Sequence, residues 1–245
     1  PIALAGTLVQ LLAEQISGAV YVNLLRPGHP VLLGCVPSVS DMRTGAFSGG
    51  GPEFALMNAA AAQLARRAGL PVYVSAGVTD SKVPDAQAGY EKGMSTAIVG
   101  LAGANYIHHS AGMLESLMAV AYEQYVIDDD INGSVMRLVR GIEVTEESLS
   151  VQVIKTVCQG PGHFLSHPQT LDMMKSEYYY PHTADRDDRG AWEENGSLDM
   201  RDRARRRARV LLDSHWPSHI SERIDHIIRQ RSEIRLPCEV MALGR

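Results

Sequence analysis

Cysteine is scarce in this chain: Cys35, Cys158 and Cys238 are the only three thiols in 245 residues, and they stand far apart. That spacing gives neither a disulfide framework nor a zinc ribbon, and buried or incidental thiols are the expected state. Aromatic residues are sparse at 6%. No apolar run reaches the roughly 18 residues that a membrane-spanning helix needs. No basic stretch followed by an apolar one and a cleavage site opens the sequence, so a cytoplasmic protein without a membrane partner is expected. Positive charge is not in excess either. A formal charge of -5 and a pI near 6.0 argue against nucleic acid as the main partner. Gln159-Gly-Pro-Gly-His163 lacks both the Walker Lys-Ser/Thr and the spacing of a dinucleotide fingerprint, and reads as a tight turn presenting His163 and His167.

What is present is ordinary globular composition, 45% hydrophobic and 21% charged. Pro1 stands in place of an initiator Met and helical spacing starts almost at once, which reads as a chain beginning inside a larger protein. Residues 2–25 carry apolar groups at helical spacing and stop at Arg26-Pro-Gly-His-Pro30, before an apolar run at 31–35. A long Gly- and Ser-rich loop at 36–52 is a candidate binding loop or lid. Ala-rich residues 53–68 predict a helix ended by Gly69. Strand 71–75, helix 85–101, strand 105–108 and a helix over about 113–127 continue the alternation, which predicts parallel strands joined by crossover helices. A helix pair follows at about 131–139 and 146–159, and Gly160 to Leu165 reads as a fourth short strand or a loop. From Glu177 the texture becomes polar and rich in Tyr, Asp and Arg, with helices predicted at 198–212 and 221–231. Arg201, Arg203, Arg205, Arg206, Arg207 and Arg209 make either a solvated helix face or a docking surface for an acidic partner.

The most informative stretch is 77–90, which follows an apolar strand and packs Asp80, Lys82 and Asp85 into one loop. Val83-Pro84-Asp85 starts a helix, so the loop lies at the carboxyl end of a strand, where α/β enzymes gather their chemistry. Asp85 suits an N-cap. Asp80 and Lys82 suit an exposed turn or a site, and their position favours the site. His108 and His109 close the next strand. A neutral imidazole there can relay protons, hydrogen-bond a carboxylate or bind metal. For metal, neighbouring strand residues point to opposite faces and no nearby Cys or Asp completes a tetrahedral set. Glu115 reads equally as a helix-start carboxylate or a site group. Asp128, Asp129 and Asp130 suggest either a divalent cation or a polar break and N-cap between two helices. Phe54, Tyr90, Tyr106 and Tyr122 are expected in the core, but two or three converging at a barrel mouth would make a box for a quaternary ammonium ion.

Collinear motifs run through the chain: Asp41-Met-Arg-Thr-Gly-Ala-Phe47 with Gly51-Pro-Glu-Phe-Ala55, then Thr79-Asp-Ser-Lys-Val-Pro-Asp-Ala-Gln-Ala-Gly-Tyr-Glu-Lys92, Gly103-Ala-Asn-Tyr-Ile-His108, Val126-Ile-Asp-Asp-Asp130, Arg140-Gly-Ile-Glu143, Gly162-His-Phe-Leu-Ser-His-Pro168 and Tyr180-Pro-His-Thr-Ala-Asp-Arg186. Together they resemble the trimethylamine methyltransferase family, whose members are longer; this chain is similar to their carboxyl-terminal half. The resemblance implies an α/β fold of the (β/α)8 TIM-barrel type. Residues 1–176 would supply barrel units and residues 177–245 a helical extension packed on them. It implies transfer of a methyl group from a tertiary or quaternary amine to the Co(I) of a corrinoid on a separate protein. Founding members use pyrrolysine; a chain of the twenty ordinary residues resembles the betaine-using branch. Under this resemblance His108 and Asp80 are the catalytic residues, and Lys82, Gln87, Tyr90, His109 and Tyr106 bind substrate. His163 faces the corrinoid, and no metal is held. The partners expected are the corrinoid protein, a small methylated amine and further copies of the chain. Two readings compete: a metal-dependent barrel hydrolase using His108, His163 and the Asp cluster, and a non-catalytic fragment that binds a partner or ligand.

Overall fold

The computed structural model of the protein describes residues 1–215 and 219–235; Cys238 and the last stretch of the expected 177–245 extension lie outside them. Helix α1 (Leu4–Leu25) leads to strand β1 (Leu33–Cys35), helix α2 (Pro52–Arg67), strand β2 (Val72–Ser75), helix α3 (Ala86–Leu101) and strand β3 (Tyr106–His108). The three strands pair in parallel in the order β1-β2-β3, with Leu33 opposite Val72 and Ser75 opposite His108. Local chemistry sets the helix starts. Pro52 occupies the first turn of α2 with Glu53 beside it, and the Asp85 side chain caps α3 by accepting from the amide of Ala88 at 2.9 Å.

Strand alternation divides the sheet into two faces. Leu33, Cys35, Val72 and Val74 are buried against Ala59, Ala62 and Ala65 of α2 and Val99 of α3, and each fully buried Val or Leu contributes about 1.5–3 kcal/mol. The same alternation puts Gly34, Tyr73, Tyr106 and His108 on the opposite, partly open face. Leu8 and Leu11 of α1 pack on this core, and Gln15 accepts from the amide of Gly34 at 3.0 Å, which ties α1 to β1. With 22 residues, α1 is long and apolar enough by composition to cross a membrane, which corrects the expectation that no apolar stretch reaches that length: its few polar residues are spread along the helix.

After β3 the chain departs from expectation. In place of a helix over 113–127 there is a two-stranded antiparallel hairpin, β4 (Met113–Leu114) and β5 (Ala119–Val120), followed by one long helix α4 (Tyr122–Arg140). The Asp triplet is therefore not a break between helices. It lies inside α4, with Asp128 and Asp130 buried. Helices α5 (Val151–Gln159), α6 (Pro168–Glu177), α7 (Arg189–Glu194), α8 (Met200–Ser214) and α9 (Glu222–Arg231) complete the described residues, which hold no fourth parallel strand; Gly160 to Leu165 is a loop.

Two buried carboxylates hold α4 in place. Asp128 pairs with Lys92 of α3 at 2.9 Å, each side chain 1% exposed, and also accepts from Gln124 and from the amide of Gly112. Lys92 donates in addition to the carbonyl of Gly77 at 2.5 Å. Burial pushes Lys92 down and Asp128 up, toward their neutral forms, against the attraction between them. Asp130 accepts from the amides of His182, Thr183 and Ala184 at 2.7, 2.6 and 2.8 Å and so moors the polar connector before α7. Burial and the nearby Asp130 raise the Tyr179 phenol to about 12. Ala204 and Ala208 bury one side of α8, while Arg201 and Arg205 approach Glu123 of α4. Arg206, Arg207 and Arg209 are exposed.

Removing one member of the buried pair, as in Lys92→Met or Asp128→Leu, is expected to cost about 3–5 kcal/mol in urea unfolding, and the double variant clearly less than the sum. Additive losses would show that the two side chains are not coupled.

Candidate active site

Three loops meet at the carboxyl edge of the sheet: residues 36–51 after β1, 76–85 after β2, and the hairpin after β3. Asp80 joins them. Its Oδ1 accepts from the amides of Gly49 at 2.8 Å and Gly50 at 3.2 Å and from Ser116 Oγ at 2.5 Å, and its Oδ2 accepts from Ser48 Oγ at 2.7 Å. Burial favours the neutral acid, but the bonds from Ser116, Ser48, Gly50 and Gly49 outweigh it and hold the carboxyl below its ordinary value. The result is a fixed anion whose hydrogen bonds are all spent on stitching loops together.

Beneath it stands Glu91 on α3, 5% exposed. It accepts from Thr79 Oγ1 at 2.5 Å, from the amide of Asp80 at 2.9 Å and from Gln87 Nε2 at 2.9 Å. Only a glycine fits at Gly50, because a Cβ there would strike the Glu91 carboxylate and sit 2.9 Å from the Asp80 amide nitrogen. The hairpin turn is also unusual. Glu115, Ser116 and Leu117 take φ of 50, 51 and 77°, left-handed backbone that costs a non-glycine residue of order 1–2 kcal/mol. Two bonds of 2.8 Å hold it there, from the Glu115 amide to the Ser81 carbonyl and from the Ser116 amide to the Thr79 carbonyl.

The histidines come together in a way that strand geometry alone excludes. β3 ends at His108, and a φ of 67° at His109 turns the chain so that the two rings lie 3.9 Å apart at 34°. The expectation that they point to opposite faces is corrected by this single left-handed residue. His109 Nδ1 lies 2.9 Å from Ser75 Oγ, whereas His108 Nε2 is buried without a hydrogen-bond partner. Burial, and for His108 also the neighbouring His109, lowers both imidazoles from their ordinary value, which favours neutral rings at pH 7.

A sequence profile described as trimethylamine methyltransferase matches residues 1–234. Among curated proteins the chain is 38% identical over 225 residues to a glycine betaine methyltransferase of Desulfitobacterium hafniense (strain Y51), covering 92% of this chain and 47% of that protein. It is 42% identical over 215 residues to a trimethylamine methyltransferase of Methanosarcina barkeri, covering 88% of this chain and 43% of that one. A trimethylamine methyltransferase of Methanosarcina thermophila is 41% identical over 218 residues, with 88% and 44% covered. The chain belongs to the trimethylamine methyltransferase family. It spans about half the length of the curated relatives it matches.

In this family member Asp80, Gln87, His108 and His109 stand at or beside the carboxyl edge of the sheet. Lys82 is exposed, and its ammonium donates to the Asp80 carbonyl at 2.8 Å. Tyr90 is 62% exposed, with its hydroxyl 3.4 Å from Glu91. Tyr106 sits on the open sheet face, 61% exposed, so neither tyrosine is the core residue that its type suggests. Of the other aromatics, Phe54 is buried and Tyr122 is 66% exposed. His163 is exposed in the loop between α5 and α6 and takes no part in these networks. Among the described residues no group of three or more His, Cys, Asp or Glu is placed to hold a metal; Asp128 and Asp130 are already committed to Lys92 and to backbone amides. Glu91, Lys92 and Ser116 escaped the residue-by-residue reading. A signal existed for the first two: they share the stripe Ala88, Glu91, Lys92, Ser95, Val99, which has the helical spacing of a buried face.

Asp80→Ala, which leaves four donors without an acceptor, is expected to lower unfolding free energy by about 1–3 kcal/mol. Because the folded carboxyl titrates below its unfolded value, its contribution is complete above the unfolded value and disappears as pH falls through the lower folded one. Asp80→Asn should therefore flatten the acid limb of the stability curve below about pH 4. An unchanged acid limb would contradict the assignment.

Proposed function

We propose that this chain is the carboxyl-terminal half of a cytoplasmic (β/α)8 barrel enzyme that moves a methyl group from a quaternary or tertiary amine to the Co(I) of a corrinoid carried by a separate protein. The observation that carries the reading is the match along about nine-tenths of the chain to proteins named for methyl transfer from glycine betaine and trimethylamine. The division into barrel units at 1–176 and a helical extension at 177–245 belongs to the same proposal. Three parallel strands with their helices on one face are consistent with an arc of a barrel wall, whose open face would be the interior.

The corrinoid enters as the acceptor substrate; its Co(I) supplies the electron pair for the new bond, while the carbon–nitrogen pair stays on the departing amine. A quaternary nitrogen already leaves as a neutral amine, so this chain need supply no proton to it. The contribution left to the protein is orientation in a dry site, which reaches about 7–11 kcal/mol in favourable cases. In this reading the neutral His108 contacts the amine substrate beside His109. Asp80 and Glu91 act by fixing the loops that frame it. Gln87, Lys82, Tyr90 and Tyr106 form its surroundings, and His163 meets the corrinoid protein.

With a Co(I) corrinoid protein and glycine betaine or trimethylamine, the purified protein should convert the Co(I) absorbance to that of the methylated corrinoid. His108→Ala should slow this about 100-fold. Absence of transfer from every tertiary and quaternary amine tried would overturn the proposal.

A further inference from the structure

A cavity lies apart from the candidate active site, in the helical part of the chain. The connector 180–187, α7 and α8 frame about 580 Å³, a volume in the range of small-molecule sites. None of the loops gathered by Asp80 contributes to its lining. Its walls are fixed by hydrogen bonds within the chain. Asp130 holds the amides of His182, Thr183 and Ala184, and Arg203 reaches across from α8 to donate to the Thr183 carbonyl at 2.7 Å and to the Leu198 carbonyl. The indole nitrogen of Trp192 on α7 donates to the same Leu198 carbonyl at 3.1 Å. Walls already held in this way spare a ligand the cost of ordering them.

Three arginines line the cavity. Arg203 is spent on the two carbonyls and on Asp185, 3.7 Å away. Arg186 and Arg206 are exposed, and among the described residues neither has an ion-pair or hydrogen-bond partner. The carboxylates are fewer. Asp185 accepts from the amide of Asp187 at 2.8 Å and faces Arg203, which leaves Asp187 alone against two free guanidinium groups. An independent observation points to a ligand: Thr183, 2% exposed, lines the cavity, and its hydroxyl has no hydrogen-bond partner. A buried hydroxyl left unpaired is uncommon in a folded protein, and it can rotate to donate to an acceptor within reach. Guanidinium forks match the paired oxygens of a carboxylate or a phosphate.

We propose that the cavity between connector 180–187 and helices α7 and α8 binds a small oxyanion, a carboxylate or a phosphate, through Arg186, Arg206 and the Thr183 hydroxyl. The site is separate from the methyl-transfer reading and stands or falls without it. It also accounts for part of the Arg-rich run of α8: Arg201 and Arg205 approach α4, Arg203 builds the cavity wall, and Arg206 meets the ligand.

Calorimetric titration of the purified protein with inorganic phosphate and with succinate, at constant ionic strength, tests this. Saturable binding of at least one is expected; phosphate alone would identify the ligand as a phosphate, and succinate alone as a carboxylate. Arg186→Gln and Arg206→Gln, at exposed positions without partners, should each weaken binding about 10-fold. Thr183→Val, which keeps the side chain's shape, should weaken it about 3-fold or more. Arg209→Gln, on the same helix but outside the lining, should stay within about 2-fold of the parent. Absence of saturable binding by either anion would overturn the proposal. So would an Arg206→Gln or Thr183→Val variant that binds as the parent does, or an Arg209→Gln variant that loses as much as Arg206→Gln.

Discussion

The buried pair Lys92–Asp128 is the constraint on which the rest of the structure hangs. Two charges that are each 1% exposed persist only if their partners are in place, and those partners are the carbonyl of Gly77, the amide of Gly112 and the amide group of Gln124. Gly77 opens the loop after β2, and Gly112 opens the hairpin after β3. One ion pair therefore fixes the roots of two loops and the packing of α3 on α4. Glu91, one residue earlier on α3, reaches the same β2 loop through Thr79 and the Asp80 amide, and Asp80 carries the connection on to Gly49, Gly50 and Ser116. The site region is thus organised by buried carboxylates, each holding backbone donors from a different loop.

This arrangement explains the division of labour among the candidate residues. Asp80, whose carboxyl is held below its ordinary value by donors from two loops, is a fixed anion, which suits positioning and not proton exchange. The imidazoles are the opposite: His108 and His109 are pushed toward the neutral form, and His108 keeps a buried nitrogen without a partner. A reaction that needs a substrate held still and kept dry, with no proton delivered to the leaving group, is served by that combination. The open sheet face carrying Tyr73, Tyr106 and His108 is the surface that the carboxylate framework presents.

Much of the architecture is legible in the sequence because local signals agree. β2 is an apolar run bounded by Pro71 and Gly77, α3 starts at Pro84-Asp85, and α2 is an Ala-rich run after Gly51-Pro52. What is not legible depends on distant partners or on backbone that residue types do not betray. The hairpin turns through left-handed Glu115, Ser116 and Leu117 with no glycine to mark it, and only bonds from the β2 loop make that turn tolerable. The Asp triplet looks like a break because three carboxylates are poor helix interior; Asp128 and Asp130 are accepted there because Lys92 and the amides of residues 182–184 reach them from elsewhere in the chain, while Asp129 is exposed. His109 beside His108 likewise follows from one φ value and not from strand periodicity.

If the loops are one framework, their amides must open together. Hydrogen exchange measured residue by residue at Gly49, Gly50, Asp80, Gly112 and Ser116 tests this directly. The account predicts slow exchange with a shared opening free energy close to that of α3. Fast and independent exchange of these amides, at the rates of exposed loops, would contradict it.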